Sequence, residues 1–375
     1  MAPSYTRGST PATEMDAFAF IIHPIEPKRD VARRYPWLGK VLPESAIHFL
    51  SRFWPPVQLS HVTGARSAAT GKEIEGWLIA IPYTVPRLLS LPVREVYRKI
   101  IAAGHLAQSL GAKVLGLGAY TSVVGDGGTT IARELEIAVT SGDSYTAAIA
   151  VQATLEAARR MTVEPSQSLV AVVGATGAIG QAVAQLLAPH AAAMLLVGRD
   201  NDRLNQAARL IGAAGCDAVT VSTAAADIVR ADIVVTVTSS GGALIEPAML
   251  KRGAIVCDVS RPRDVSQWVS SMRKDVLVID GGLVHVPGDV RFGFDYGLPP
   301  DLTYACIAET MTLAFEGIFE DYSVGKDLAL AQIQEADALA TKHGFALAAL
   351  RSFEKKLDDS LMSKVKAQAQ VGGAV

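Results

Sequence analysis

The sequence predicts an α/β fold built around a doubly wound parallel sheet, with a second α/β unit before it and a helical segment after it. Three observations carry that prediction. From residue 169 onward, short apolar runs alternate with amphipathic stretches, the pattern of buried parallel strands covered on both faces by helices. The first of those runs ends in a glycine-rich turn, Gly174–Ala175–Thr176–Gly177–Ala178–Ile179–Gly180. A chain of 375 residues, at roughly 150 per domain, leaves room for two or three domains.

The elements follow in order. Residues 1–16 read as a polar tail rich in Pro, Ser and Thr. From 17 to 60, Pro24, Pro27, Pro36, Pro43, Pro55 and Pro56 break the chain into short pieces. Residues 73–81 read as a strand. Leu91, Val93, Val96, Ile100, Ile101, Leu106 and Leu110 recur at three- and four-residue spacing, which predicts a helix over 91–111 closed by Gly111. A strand at 113–118 leads into the loop Ala119–Tyr120–Thr121–Ser122, and a helix follows over 144–161. Pro165 breaks the linker 162–168. Strands are then expected at 169–174, 194–198, 218–221, 233–238, 254–259 and 276–280, with helices from the glycine turn to 188 and over 201–212. The last stretch reads as helical over roughly 301–322 and 327–360, with a second tail at 367–375. These boundaries divide the chain into an N-terminal domain (1–165), a nucleotide-binding domain (166–285) and a C-terminal helical region (286–375).

The glycine turn follows an apolar strand and opens an amphipathic helix, the context in which a GxxGxxG spacing binds a dinucleotide in a Rossmann-type domain. Gly174 permits the tight turn, Gly177 lets the backbone approach a pyrophosphate, and Gly180 lets helix and strand pack closely. Free N–H groups at the helix start then face the phosphates. The second strand ends in Val197–Gly198–Arg199–Asp200. An NAD site places a carboxylate about 20 residues after the glycines to take the ribose hydroxyls. Here Arg199 holds that place and can grip a 2′-phosphate bidentately, so NADPH is the expected cofactor. A surface arginine at a helix start is the plainer alternative. Thr238 and Ser239, with Ser240, follow the strand at 233–238, where loops cover a bound cofactor.

Composition narrows the rest. Lys+Arg number 35 against Asp+Glu 37, without the basic surplus of a dedicated nucleic-acid binder. The amino terminus lacks the apolar core of a secretory signal, and no run of about 20 uncharged apolar residues is present. The three cysteines, Cys216, Cys257 and Cys306, are too few for a disulfide scaffold and lack the CxxC spacing of a zinc cluster. A cytoplasmic location is expected. Mean hydropathy is +0.27, which buried strands explain and which also suits an apolar substrate or a peripheral membrane contact.

Cys306 lies in Asp301–Leu302–Thr303–Tyr304–Ala305–Cys306–Ile307–Ala308–Glu309. Asp301 and Thr303 are both suitable helix N-caps. Either places Cys306 near a helix amino end, where the dipole lowers a thiol pKa and favours a nucleophilic thiolate. A small buried hydrophobe is the competing reading. Cys216 and Cys257 read as structural.

Four segments together resemble the long-chain fatty acyl-[acyl-carrier-protein] reductases best known from cyanobacteria. They are the loop Gly116–Ser122, the segment Thr140–Ser141–Gly142–Asp143–Ser144–Tyr145–Thr146–Ala147, the glycine turn, and Ala305–Cys306–Ile307–Ala308–Glu309 followed by Phe315–Glu316–Gly317 and His343–Gly344–Phe345. The resemblance runs from about residue 58 to 350. The first 50 residues and the segment 288–300 depart from it. It implies that residues 1–165 bind an acyl chain, that Cys306 accepts the acyl group from acyl carrier protein or acyl-CoA, and that NADPH reduces the thioester to a fatty aldehyde. It also implies stimulation by Mg2+, with no ligand to name. Thr121, Ser122 and Ser144 are candidate donors to the oxyanion; loop and cap chemistry suits them equally. His285 is a candidate proton carrier, and Tyr304 a candidate pocket wall. Arg87, Arg94, Arg98, Lys99, Arg159 and Arg160 form a candidate docking face for an acidic carrier protein. A dehydrogenase of the shikimate type without a covalent intermediate, an NADP(H)-sensing protein without turnover, and a degenerate homologue remain alternatives.

Overall fold

The computed structural model describes residues 15–24 and 41–370, together with residues 28, 32 and 37. The first half contributes strands β1 (Ala17–Ile22), β2 (Val57–Arg66), β3 (Glu73–Ala80), β4 (Val114–Leu117) and β5 (Ala138–Thr140). The middle contributes β6 (Leu169–Val173), β7 (Ala193–Val197), β8 (Val219–Ser222), β9 (Ile233–Thr236), β10 (Ile255–Asp258) and β11 (Leu277–Asp280). The last third adds β12 (Leu283–His285), β13 (Gly288–Arg291), β14 (Leu302–Tyr304) and β15 (Ala346–Leu347).

The six middle strands form the doubly wound sheet in the order β11-β10-β9-β6-β7-β8, and every neighbouring pair is parallel. Strand order reverses between β6 and β9, so their carboxyl ends open a crevice, the usual ligand site of such sheets. The strands are short and apolar because both faces are covered. Val170, Val172 and Ile233 face one core, while Ala171, Val173 and Val234 face another.

The N-terminal sheet runs β13-β2-β3-β1-β4-β5. Strand β1, AFAFII, is at its centre, parallel to β3 and β4. Sequence patterning missed it, because the run is only six residues long and sits in the proline-broken stretch. Phe18 and Phe20 point toward the core shared with the middle domain, whereas Ala19 and Ile21 meet Val96, Ile100, Ala103 and Ala107 of the helix Val93–Ser109. That alternation is the period-2 pattern of a fully buried strand.

One long helix, Asp143–Met161, joins the two units. It packs on the glycine-turn helix Ala178–Leu187 and on the helix Leu330–His343. Its buried positions include Ala147, Ala148, Ala150, Ala153, Ala157 and Ala158. Small side chains let three helices approach closely there, and a single core runs from Phe18 through Val172 to Phe315.

The carboxy-terminal third differs from the sequence expectation in its details. The stretch expected as a helix over 301–322 begins as strand β14 and becomes the helix Ala305–Glu316, stopped by Gly317 at φ 72°. Residues 327–360 are not one helix. Leu330–His343 ends at Gly344, φ 99°, a left-handed stop that favours glycine. Short strands follow at 346–347, 351–352 and 355–356. The apolar residues 345–350 look helical in sequence, but Ala346 and Leu347 pair instead with β12. The final helix, Asp359–Gln370, extends into the expected tail. The tail positions 1–14 and 371–375 lie outside the described residues. Strand β13 crosses back to pair with β2, so the C-terminal region completes the first sheet.

Two polar contacts anchor the helix Ala305–Glu316. Lys72 Nζ donates to the carbonyls of Ala314 and Phe315 at its carboxyl end, both at 2.9 Å, and pairs with Asp16 at 2.7 Å. His343 lies between Ser67 (2.7 Å) and Glu316 (2.6 Å). Among the described residues, no helix is long and apolar enough to cross a membrane.

Lys72→Met removes a cation from the helix carboxyl end and strands two carbonyls. The expected loss is about 1–3 kcal/mol, read as a lowered urea midpoint with an unchanged m-value.

Candidate active site

A cleft of about 1310 Å³ runs from the crevice of the doubly wound sheet into the N-terminal unit. At one end the glycine turn lines it. Gly174 sits at φ +88°, and a Cβ there would lie 2.3 Å from the Val237 carbonyl oxygen. A Cβ on Gly177 would meet only the Gly174 oxygen, at 3.4 Å, so this backbone faces open space. Gly177 caps the helix Ala178–Leu187 without any side-chain cap bond, which leaves the first N–H groups available to phosphate oxygens. The cradle therefore fits a dinucleotide.

Arg199 lines the same end together with Arg203. Arg203 Nη2 donates to the Thr176 carbonyl at 2.6 Å, lying across the turn. Asp200 is consumed as a helix N-cap, accepting from the N–H groups of Asp202 and Arg203, and it does not line the cleft. Among the described residues, two guanidinium groups and no free carboxylate thus line the end of the cleft beyond the glycine turn. Sequence reasoning missed Arg203, which is the third residue of an amphipathic helix and reads there as a solvated cation.

Thr238 and Ser239 also line the cleft. Their loop is held by Asp264, which accepts hydrogen bonds from Thr236 Oγ1 (2.6 Å), Thr238 Oγ1 (2.6 Å), Ser240 Oγ (3.0 Å) and Ser260 Oγ (2.5 Å). Nearby, Arg261 donates to the carbonyl of Ser260 at 2.8 Å, approaches Asp280 at 3.6 Å and stacks over the Tyr304 ring. Neither Asp264 nor Arg261 carries a motif that sequence reading could single out.

Cys306 sits half-buried at the junction of the two units, as the second residue of its helix. The N-cap is Tyr304, not Asp301 or Thr303. Thr303 belongs to β14, and Asp301 pairs at the surface with His285 at 3.1 Å. Facing Cys306 is Gly142, the N-cap of the helix Asp143–Met161, at φ +75°. A Cβ there would lie 2.3 Å from the Cys306 Cβ and 2.4 Å from its Cα. Only glycine satisfies both the left-handed backbone and this approach. Two helix amino termini therefore meet at the thiol.

Glu309, one turn along, is 2% exposed. Its carboxylate accepts from the Tyr145 N–H at 2.7 Å and from Thr140 Oγ1 at 2.5 Å. It thereby satisfies one of the orphan N–H groups that open the neighbouring helix. Burial pushes its pKa up, and these bonds oppose the rise.

Asp143 lines the cleft with Cys306. Burial, then the Glu309 charge, raises its carboxyl to about 7, against a bond from Ser141. The thiol likewise differs from expectation. Burial, then the Asp143 charge, pushes Cys306 up to about 12, and the Ile307 N–H at the helix start only partly offsets this. The dipole alone does not generate a thiolate.

Other expected residues are placed as follows. Ser122 lines the cleft, but its hydroxyl donates to the Ala119 carbonyl at 2.8 Å. Thr121 is buried and donates to the Gly118 carbonyl. Ser144 is buried beneath the site and accepts from the Ser323 hydroxyl at 2.7 Å. His285 is exposed and outside the cleft-lining set. Tyr304 lines the cleft. Cys216 and Cys257 are buried in the core. Of the basic residues, Arg159 and Arg160 pair with Glu156, and Lys99 donates to the carbonyls of Arg52 and Trp54. Arg94 and Arg98 are exposed. Among the described residues, no group of three or more His, Cys, Asp or Glu is placed to hold a metal ion.

Two outcomes follow from the buried acids. Glu309→Ala leaves the Tyr145 N–H and the Thr140 hydroxyl buried without an acceptor, at about 1–3 kcal/mol each, measured by denaturant titration. Asp143 rises from 3.8 to about 7 on folding, so between those values the folded chain holds a proton that the unfolded chain has released. Its contribution to stability therefore falls as pH rises through that window. Asp143→Asn should melt above the wild type at pH 8 and level with it at pH 4 in paired calorimetric scans.

Residues 156–280 match the family model described as shikimate / quinate 5-dehydrogenase. The chain is 31% identical over 308 residues to a Serratia aminotransferase, PigE, covering 80% of this chain and 35% of that protein; it spans about a third of that relative. It is 27% identical over 344 residues to a long-chain acyl-[acyl-carrier-protein] reductase of Synechococcus elongatus, covering 87% of this chain and 96% of that one. Among solved structures, quinate dehydrogenase from Corynebacterium glutamicum in complex with NAD aligns at 17% identity and TM-score 0.35, over 69% of this chain and 85% of that one. L-tryptophan dehydrogenase from Nostoc punctiforme aligns at 14% identity and TM-score 0.36, over 88% of each. The glycine cradle, the parallel strand order and the family match over residues 156–280 agree on a nucleotide-binding domain similar to those of NAD(P)-dependent dehydrogenases.

Proposed function

We propose that the protein reduces a long-chain fatty acyl thioester, carried on acyl carrier protein or coenzyme A, to the fatty aldehyde, with NADPH as reductant and Cys306 as acyl acceptor. The observation that supports this most is the position of Cys306. It lies in one continuous cleft with the glycine cradle at one end and an apolar lobe at the other, walled by Ile47, Trp54, Val57, Leu59, Leu78 and Ile81. A nucleophile between a nucleotide site and an apolar channel suits acyl transfer followed by reduction.

Each group has work of its own. The apolar lobe binds the acyl chain by removing it from water. Cys306 sulfur attacks the thioester carbonyl, and the carrier leaves as a thiol, which gives an acyl-enzyme. Backbone N–H groups at the start of the helix Ala305–Glu316 are the donors nearest the developing oxyanion; Thr121 and Ser144 are already bonded within the core. Arg199 and Arg203 hold the 2′-phosphate that distinguishes NADPH, and the glycine turn holds the pyrophosphate. Bound NADPH supplies the hydride. Asp264 fixes the loop at Thr238 and Ser239 over that end of the cleft. Exposed Arg94 and Arg98 are the docking groups for an acidic carrier, and exposed Phe49 and Phe53 provide a peripheral contact with lipid.

A second reading is favoured by the family match over 156–280: a dehydrogenase that moves hydride to and from a small substrate without a covalent step. Cys306→Ser separates the two. Under the acyl-reductase reading, the purified wild-type chain incubated with a long-chain acyl thioester gains the acyl mass on Cys306 and releases aldehyde on addition of NADPH, while the variant does neither. Absence of any adduct with both carrier-protein and coenzyme A donors favours the dehydrogenase. Separately, the paired change Arg199→Ala and Arg203→Ala should weaken NADPH binding by about 100-fold or more, from two lost charge-assisted contacts. NADH binding, titrated by nicotinamide fluorescence, should change only a few-fold.

A further inference from the structure

We propose that Asp143 is the catalytic base of the site, taking the Cys306 thiol proton as sulfur bonds to the acyl carbon and handing it to the departing carrier thiolate. This rests on the acyl-transfer reading and assigns the proton path that reading needs. In the acylation step the S–H bond of Cys306 breaks, and the sulfur electron pair forms the new bond to the thioester carbon. The carrier's carbon–sulfur bond breaks, and the proton held by Asp143 leaves with the carrier sulfur. No net proton is gained or lost.

The geometry carries the assignment. Asp143 follows Gly142, where an added Cβ would lie 2.3 Å from the Cys306 Cβ, and both Asp143 and Cys306 line the cleft. Each stands in the first turn of its own helix. Asp143 makes no ion pair among the described residues, so its carboxylate is not committed elsewhere; its partner is Ser141. Tyr296 lines the cleft near Cys306, but its hydroxyl donates to the Leu302 carbonyl and burial makes it hold its proton more tightly. His23 and Glu354 also line the cleft, His23 accepting from the Tyr120 N–H and Glu354 pairing with Arg263. Glu309 is closer to the core, outside the cleft-lining set, and both its oxygens already accept hydrogen bonds. Tyr304 caps the cysteine helix beneath Arg261. Arg261 and Lys326 line the same cleft, but a guanidinium or an ammonium has no free lone pair to accept a proton. His285 is at the surface with Asp301. Among these groups, Asp143 alone combines a cleft-lining carboxylate with a chain neighbour, Gly142, packed against Cys306.

The electrostatics agree with the geometry. A thiol raised to about 12 beside a carboxyl raised to about 7 cannot ionise alone at neutral pH. The pair can share one proton, and a base that titrates near the working pH is the efficient one.

The test reads the thiol directly and does not depend on turnover. The full chain is alkylated with iodoacetamide across pH 5–11, and the Cys306 peptide is followed by mass. Cys216 and Cys257 are buried and serve as unreactive internal controls. In the wild type, alkylation should rise with an inflection near pH 7, set by Asp143, and rise again toward pH 11 as the thiol itself begins to ionise. In Asp143→Asn the inflection should vanish, and acylation by a long-chain acyl-CoA at pH 8 should fall about 100-fold. Asp143→Glu should retain the inflection, and undiminished NADPH binding by each variant excludes misfolding. A wild type without an inflection near neutrality overturns the proposal. So does an inflection that survives in Asp143→Asn but disappears in Glu309→Gln. An inflection that depends on Asp143, combined with no acyl adduct from any thioester, leaves the proton pair standing and removes the acyl-reductase reading instead.

Discussion

The contact between Gly142 and Cys306, with Glu309 bonded across it, is the constraint on which the site depends. Helix amino termini repel one another, since each presents unpaired N–H groups and positive partial charge. Here two of them converge within van der Waals distance. A buried carboxylate makes that arrangement tolerable by accepting from Tyr145 N–H and Thr140 at once. Its cost is the burial of an acid. That cost appears in the upward displacement of the whole local set: Glu309, Asp143 and Cys306 all hold their protons more tightly than in water.

The same constraint explains how the two units form one site. The helix Asp143–Met161 begins at the thiol and then runs between the sheets on an alanine-rich face. The helix Ala305–Glu316 begins at the thiol and returns beneath the N-terminal sheet, where Lys72 holds its other end. Chain segments far apart in sequence therefore converge at one atom, with the nucleotide cradle on one side and apolar strand ends on the other. Groups in strained, poorly solvated positions of this kind are where proteins spend stability on chemistry.

The nucleotide half obeys a separate logic. Its strands are parallel and buried on both faces, so the backbone at their carboxyl ends is the natural place for polar contacts. Asp264 gathers four hydroxyls and a backbone N–H there, which sets the loop at Thr238 before any ligand arrives. Preorganisation of that sort reduces the entropy a cofactor must lose to be held.

Much of this was legible in the chain itself. The doubly wound sheet, the glycine cradle and, within a residue, the helix expected at 144–161 follow from local signals, because a strand–turn–helix has its period and its glycines written consecutively. The cysteine was legible as a candidate through its helix start. What local sequence could not reveal was contact across long separations. Strand β1 is too short to show a period. Strand β13 joins a sheet more than 200 residues away in sequence. Arg203, Asp264 and Glu309 look like ordinary polar residues until the fold brings their partners to them. The ionisation of Cys306 shows the difference best: one helix dipole, readable from sequence, points toward a thiolate. Burial and two carboxylates, assembled only by tertiary structure, push the other way, because desolvation and nearby charge outweigh the N–H groups of the helix start.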